Sequence, residues 1–162
     1  MTPVRKLGEV LVDRGLITPW QLEQALLEQR TTKEFLGAIL LRLKLLSPQT
    51  LLAALAEQFH MPAETLSADR VDWRVAKQFP RSVLSTGKCF PIRADAESVT
   101  VAIANPLDAE ALSDIGKVAG FRRVNVVLVL EAELRAVLQR YQQEALRALE
   151  AQLKGHGRPQ TP

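Results

Sequence analysis

The sequence of 162 residues has few of the side chains that most metal and redox sites require. It has one cysteine, Cys89, so an intramolecular disulfide is excluded. Its two histidines, His60 and His156, are separated by almost the whole chain. Structural and catalytic zinc sites need clustered cysteine, histidine and carboxylate ligands, so we predict no metal site. Cys89 stands beside Phe90 in a strand-like segment and is expected to be a buried small apolar residue.

Catalytic motifs are also missing. A phosphate-binding loop of the GxxxxGK[ST] type is absent, because the pairs at 87–88 and 116–117 lack the upstream glycine and are not followed by serine or threonine. The sequence therefore predicts no ATPase site. We expect a protein that is not an enzyme and has no catalytic residues.

Long apolar runs and blocks of one charge are absent as well. The longest apolar run, 35–46, contains Arg42 and Lys44 and is too short to cross a bilayer. The N-terminus MTPVRKLGEV lacks the apolar core of a secretory signal. The 21 basic and 18 acidic residues are spread along the chain, without a basic block that would bind a nucleic-acid backbone. We predict a globular, cytoplasmic protein with no membrane insertion and no DNA partner.

An internal repeat is the strongest pattern in the sequence. The segment 6–29, KLGEVLVDRGLITPWQLEQALLEQ, returns at 35–58 as FLGAILLRLKLLSPQTLLAALAEQ after a five-residue spacer. The two copies share ten of 24 positions at an offset of 29 residues. Such a match indicates a duplication of one structural unit.

Each copy is predicted to be a helical hairpin. In the first copy, Gly15 is placed to end one helix, and Thr18 with Pro19 is typical of the start of the next. The second copy has Ser47 and Pro48 at the same points, although Lys44 replaces the glycine. Two adjacent helical hairpins are therefore expected.

The remainder of the chain has a different pattern. Strand-like segments at 89–93, 99–104 and 124–129 alternate with helical segments at 73–79 and 80–85, one ending near 116–120, and a long one over 131–153. The predicted fold class is α+β: an N-terminal all-helical subdomain of two repeated hairpins, then a small α/β subdomain with a three-stranded sheet and a long C-terminal helix. The predicted domains are 1–62 and 63–154, followed by a disordered tail at 155–162.

Each second helix of the repeat carries two leucines and a glutamine on one face. Leu22, Leu26 and Gln29 are spaced i, i+4, i+7, and so are Leu51, Leu55 and Gln58. Core packing explains the leucines, but an amide at the same place in both copies favours a flat ligand with polar edges.

The first helix of each copy begins with a leucine and a glycine, Leu7-Gly8 and Leu36-Gly37. A glycine inside a helix costs roughly 1 kcal/mol relative to alanine. Its repetition indicates close approach, either by a ligand or by tight packing of the hairpin itself.

The doubled motif [RK]LGxxLVxxGxIxxxxLxxALxxQ resembles the MshEN domain, the N-terminal module of ATPases that drive type II secretion and type IV pilus assembly. The segment 99–115, VTVAIANPLDAEALSDI, resembles the second half of that module, so the likeness covers roughly residues 4–141. It implies a regulatory module that binds cyclic di-GMP, needs no other cofactor, and has a secretion or pilus ATPase or another protein as partner. The residues implied for the ligand are Lys6, Leu7, Gly8, Leu22, Leu26 and Gln29 as one half, and Leu36, Gly37, Leu51, Leu55 and Gln58 as the other.

The chain departs from the family pattern at three candidate ligand positions, besides the loop-forming glycine that Lys44 replaces. Lys6 and Phe35 stand where the family usually has arginine, and Asn105 replaces an acidic residue. Arg5 and Arg30 are further candidates for ligand contacts, together with Phe35 and Asn105 themselves. These departures leave a second hypothesis open, in which the module has lost the nucleotide and docks a partner protein.

A helix-turn-helix DNA reader is a third hypothesis. The helix predicted over 19–29 carries Glu23 and Glu28 and no lysine or arginine. That surface does not suit phosphates or bases, so the sequence argues against this hypothesis.

Overall fold

The repeat forms four helices in the computed structural model, which describes residues 5–118, 120 and 122–155. The first copy gives α1 (Leu7–Asp13) and α2 (Pro19–Thr32), and the second gives α3 (Leu36–Arg42) and α4 (Pro48–Phe59). Both predicted hairpins are therefore confirmed.

The predicted capping residues start and end these helices. The Thr18 hydroxyl accepts a hydrogen bond from the Gln21 N–H at 3.1 Å, and the Gln21 side chain accepts one from the Thr18 N–H at 2.8 Å. Ser47 accepts from the Thr50 N–H at 3.2 Å. Gly15 and Lys44 adopt left-handed conformations with φ of 69° and 56°. Lys44 thus takes up the conformation for which the first copy uses glycine.

The short first helix of each hairpin packs on the long second helix of the other hairpin, an arrangement that we name the helix exchange. The short helix α1 packs on the long helix α4 of the other copy, and α3 packs on α2. Exposed ion pairs mark both contacts: Arg14 pairs with Glu57 across α1 and α4, and Arg42 pairs with Glu28 across α3 and α2 at 2.6 Å. Glu28 and Glu57 occupy equivalent positions of the repeat. The exchange gives the helical subdomain an approximate two-fold relation.

A three-stranded sheet forms the centre of the second subdomain, as predicted. The strands β1 (Cys89–Ala94), β2 (Ser98–Ile103) and β3 (Arg123–Leu128) lie in the order β1-β2-β3. The first pair is antiparallel and the second is parallel. Because parallel neighbours need a crossover, α7 (Ala109–Val118) connects β2 to β3.

Helices cover the sheet and build its core. The long helix α8 (Glu131–Gly155) packs on β1 and β2, and the short α5 (Trp73–Ala76) packs on β1. Phe90 of β1 is fully buried and makes edge-to-face contacts with Trp73 and Tyr141, at centroid distances of 5.9 Å and 5.7 Å. A 3-10 turn (Ala68–Arg70) and α6 (Arg81–Leu84) complete the chain.

Several predicted bounds differ from the observed ones. The helix predicted over 73–79 ends at Ala76, and the first long helix continues to Thr32, where Lys33 turns left-handed with φ of 60°. The C-terminal helix includes Gly155, so the tail predicted from 155 is helical at its first residue. Residues 156–162 lie outside the described part of the chain.

Among the described residues, no group of three or more His, Cys, Asp or Glu side chains is arranged to hold a metal ion. No helix within the same residues has the length and apolar character needed to cross a membrane.

Candidate functional site

A cleft of about 730 Å³ lies between the repeated hairpins and the α+β subdomain. One wall comes from α1, α3 and α4, and the other comes from α8 and from the loops that precede β1 and follow β2. The lining residues are Leu7, Phe35, Gly37, Ala38, Leu41, Leu51, Leu55, Gly87, Lys88, Ala104, Asn105, Leu107, Asp108, Glu131, Leu134, Arg135, Leu138, Gln139 and Gln142.

The hairpin wall of the cleft is apolar. Leu7 and Leu55 are buried, Leu51 is half-buried, and the Phe35 side chain is 47% exposed. Phe35 is the N-cap residue of α3 and has an extended backbone, and its side chain is not part of the buried core. This wall offers flat apolar contact to an aromatic ring system.

The opposite wall is polar and contains charges of both signs. Lys88 bonds to Glu110 and lies 3.7 Å from an Asp108 oxygen, and the hydrogen bond with Glu110 raises the pKa of the Lys88 ammonium. Arg135 pairs with Glu131 one helical turn away at 2.8 Å. Both cations therefore face the cleft with acidic partners beside them.

Asn105 and Asp108 shape the loop between β2 and α7. The Asn105 Oδ1 accepts a hydrogen bond from the Leu107 N–H at 2.9 Å. The Asp108 Oδ1 accepts from the N–H groups of Glu110 and Ala111 at 3.1 Å, which caps the N-terminus of α7. An aspartate at 105 would accept the same turn bond, so the asparagine preserves the loop while removing one negative charge from the cleft.

The two glycines at the helix starts allow a leucine of the following helix to pack closely against the backbone. A Cβ added to Gly8 would lie 2.6 Å from a Leu22 methyl carbon, and one added to Gly37 would lie 3.0 Å from a Leu51 methyl carbon. Each glycine thus packs against the first leucine in the second helix of its own hairpin. Hairpin packing, one of the two explanations left open by the sequence, accounts for the glycines in this structure.

The side chains of the two glutamines donate hydrogen bonds to main-chain carbonyls that precede the motif copies. The Gln29 Nε2 donates to the Glu34 carbonyl at 2.9 Å, and the Gln58 Nε2 donates to the Arg5 carbonyl at 2.8 Å. Glu34 and Arg5 precede the first residue of the two motif copies. Each amide therefore anchors the start of the other copy.

One of these amides retains a buried acceptor. Among the described residues, the Gln58 Oε1 is a buried side-chain oxygen without a hydrogen-bond partner. Leaving such an atom unpaired costs about 1–3 kcal/mol, so a donor supplied by a ligand would be stabilising there.

The leucines and glycines of the two copies are mixed by the helix exchange. The cleft brings Leu7 of the first copy together with Gly37, Leu51 and Leu55 of the second; we name these four residues the cleft group. The repeat offset predicts an equivalent set, Leu36 with Gly8, Leu22 and Leu26, which we name the open group. Contact between Gly8 and Leu22 and the packing of α3 on α2 support it. Sequence reasoning had instead grouped these residues by copy.

The other predicted residues lie outside the lining of the cleft. Arg5 pairs with Asp13, Lys6 and Arg30 are exposed, and Leu26 is 39% exposed. The predicted residues that line the cleft are Leu7, Phe35, Gly37, Leu51, Leu55 and Asn105; those that do not are Arg5, Lys6, Gly8, Leu22, Leu26, Gln29, Arg30, Leu36 and Gln58.

Two cations of the cleft were missed by sequence reasoning. Lys88 belongs to a Gly-Lys pair that lacks the rest of a phosphate-binding loop, and Arg135 lies within the helix predicted over 131–153. No spacing rule connects them with the repeat, because tertiary packing alone brings β1 and α8 beside the hairpins. Their signal is absent from the sequence.

Comparisons with known proteins agree with the fold. The family model described as MshEN domain matches residues 59–148, more than half of the chain. The type IV pilus assembly ATPase PilB of Myxococcus xanthus is 28% identical over 145 residues, covering 90% of this chain and 25% of PilB. Bacteriophage adsorption protein B of Escherichia coli K12 is 29% identical over 131 residues, covering 81% of this chain and 17% of that protein. The chain thus spans a quarter or less of these relatives.

Two solved structures share the architecture. A structure of MshE with cdg superposes with a TM-score of 0.74 at 27% identity, covering 85% of this chain and 99% of that one. The N-terminal domain of XpsE superposes with a TM-score of 0.61 at 20% identity, covering 83% and 92%, and supports the fold alone. The family match, together with the doubled motif and the shared fold, shows that the chain belongs to the MshEN domain family.

Proposed function

We propose that this chain is a non-enzymatic, cytoplasmic receptor module for cyclic di-GMP in a bacterial type II secretion or type IV pilus system. Cyclic di-GMP has two equivalent guanines joined by two phosphates. The cleft group and the open group are related by the repeat offset and have the same residue types, and each guanine would occupy one of them. The solved relative MshE with cdg supports the same ligand.

The helix exchange is the observation that carries this proposal. Because α1 packs on α4 and α3 on α2, the ligand-candidate leucines fall into two groups that each combine both copies, the cleft group and the open group. The cleft group faces the α+β subdomain, whereas Leu26 of the open group is 39% exposed. A ligand with an internal two-fold can contact both groups with the same chemistry.

Both glutamines act in this proposal through the main chain, and Gln58 acts through its unpaired oxygen as well. Their Nε2 groups fix the carbonyls of Arg5 and Glu34, directly before the helix starts that carry the Leu-Gly pairs. The unpaired Gln58 Oε1 can accept a hydrogen bond from a guanine N–H. The apolar surroundings strengthen such a bond relative to water.

Calorimetric titration of the folded chain with cyclic di-GMP tests the proposal. We expect saturable heat with one dinucleotide per chain, or two if the ligand binds as a stacked pair, and no heat with the mononucleotide GMP at equal concentration. Circular dichroism on the same sample confirms the fold. Absence of heat at high micromolar ligand in a folded sample would contradict the proposal.

A matched pair of substitutions tests the open group. Leu26 and Leu27 are adjacent on α2 and are 39% and 49% exposed, so either can become glutamine with little change in stability. We expect Leu26→Gln to weaken binding about tenfold, since it loses apolar contact with a guanine, and Leu27→Gln to bind like the parent chain. Equal affinities for the two variants would exclude the open group from the site.

The protein partner is proposed from the relatives. PilB of Myxococcus xanthus is named as a pilus assembly ATPase, and this chain matches a quarter of its length. We propose that the module passes its ligand state to such an ATPase, either within one polypeptide or as a separate chain. A folded chain that binds no dinucleotide but co-purifies with a pilus or secretion ATPase would favour the docking hypothesis over the receptor.

A further inference from the structure

The polar wall of the cleft holds two cations that the repeated motif does not include. We propose that Lys88 and Arg135 bind the phosphates of the dinucleotide while the hairpin wall contacts a guanine. This inference rests on the proposed function and assigns two further ligand-binding residues to the same site. It also supplies positive charge at a site where Phe35 has none.

The composition of the cleft directs the phosphates to this wall. The residues contributed by the hairpins are uncharged, and Lys6 is exposed and does not line the cleft. Among the described lining residues, Lys88 and Arg135 are the cations. A phosphodiester in the cleft therefore meets positive charge only on the side of β1 and α8.

The Lys88 ammonium has more N–H donors than its described partners use. Its ammonium carries three N–H groups, and its described partners are one oxygen of Glu110 and one of Asp108, the latter at 3.7 Å. It directly precedes β1, whose first residue, Cys89, is 2% exposed. The buried strand fixes the position from which the lysine reaches into the cleft.

Arg135 is held loosely by its acidic partner. Its side chain is 74% exposed and that of Glu131 is 72% exposed, so the ion pair between them is weak and screened. A phosphate accepts two parallel N–H bonds from a guanidinium, which a single exposed carboxylate contact does not match. A phosphate can therefore compete with Glu131 for the guanidinium. Leu134 and Leu138 on the same helix are buried, which keeps Arg135 at the rim of the cleft.

The chain provides matched controls for both cations. Arg140 is also on α8 and pairs with Glu144 four residues away at 3.1 Å, but it does not line the cleft. Lys117 pairs with Asp114 on α7 and lies outside the cleft as well. Substitution of either control removes one charge and one exposed ion pair without touching the site.

Titration calorimetry with cyclic di-GMP at low and at physiological salt tests the inference on the whole 162-residue chain. We expect Arg135→Gln and Lys88→Gln each to raise Kd by about three- to tenfold, and Arg140→Gln and Lys117→Gln to leave it unchanged. The parent affinity falls as salt is added, and this dependence becomes smaller in Arg135→Gln because one screened contact is lost.

The possible outcomes separate this inference from the proposed function. If the parent chain binds and the cleft variants match their controls in affinity and salt dependence, Lys88 and Arg135 are not phosphate ligands and the receptor function stands. If all four variants lose affinity equally, net charge is responsible and the inference is also wrong. If the folded parent chain does not bind, the proposed function itself fails.

Discussion

The substitution Gly8→Ala tests the close contact between the first and second helices of the repeat. A Cβ at this position would lie 2.6 Å and 3.0 Å from the two methyl carbons of Leu22. Overpacking of this kind costs about 1–3 kcal/mol, and the better helix propensity of alanine returns at most about 1 kcal/mol. We therefore predict that Gly8→Ala lowers the free energy of unfolding by about 0–2 kcal/mol.

Gly116 on α7 is the matched control. It is also a helical glycine, but nothing lies within 4 Å of the Cβ that alanine would add. Gly116→Ala should therefore stabilise the chain by about 0.5–1 kcal/mol. Urea unfolding monitored by circular dichroism measures both variants under the same conditions, with the midpoint compared at constant m-value.

A double-mutant cycle isolates the contact itself. In a Leu22→Ala background the obstructing methyl groups are gone, so adding Gly8→Ala should become neutral or stabilising. The expected coupling between the two positions is about 1–2 kcal/mol. If Gly8→Ala stabilises the parent chain as much as Gly116→Ala does, the helices do not approach as closely as the structure shows. Glycine would then need a different explanation, such as ligand contact.

Three further predictions concern hydrogen bonds and titrating groups. Gln29→Met removes the hydrogen bond to the Glu34 carbonyl and should lower the free energy of unfolding by about 0.5–1.5 kcal/mol; a parent-like melting curve would show that this bond is not formed in solution. Burial raises the pKa of the Cys89 thiol to about 11, so a thiol reagent at pH 8 should modify it only after denaturant is added, and rapid labelling of the native chain would contradict this burial. The hydrogen bond from Arg93 holds the pKa of Glu64 below its ordinary value, so this pair stabilises the chain above about pH 4.5 and the contribution is lost on acidification through the lowered pKa. Arg93→Gln should therefore lower the free energy of unfolding at neutral pH, and its difference from the parent chain should disappear in acid. Unfolding of both chains measured at each pH tests this.

The local structure of the repeat could be predicted because its signals lie within a few residues of each other. Thr18 and Ser47 are typical N-cap residues, because their hydroxyl groups can accept a hydrogen bond from an N–H two or three residues later. Both side chains make this bond in the structure. The left-handed turn at Gly15 follows from glycine alone. The same conformation at Lys44 follows only from comparison with the other copy, since lysine has no preference for it.

The candidate site was less accessible to sequence reasoning because it depends on which helices pack together. The spacing of Leu51 and Leu55 showed that they share a face, but not that Leu7 of the other copy would complete the group. The amide of Gln58 was expected at a ligand, whereas its Nε2 binds the Arg5 carbonyl 53 residues away. Such long-range pairings leave no trace in a single sequence. The fold class needed only the order of the elements and was predicted correctly.

A titration of the ¹⁵N-labelled chain with cyclic di-GMP, followed by amide chemical shifts, tests whether one ligand contacts both the open group and the cleft group. The amides of Gly8 and Gly37 report on the open group and the cleft group respectively. We predict that both resonances move with ligand and yield the same Kd, while the amide of the exposed Trp20 stays in place. Shifts confined to one glycine, or no shift at either in a well-folded sample, would contradict a dinucleotide that occupies both groups.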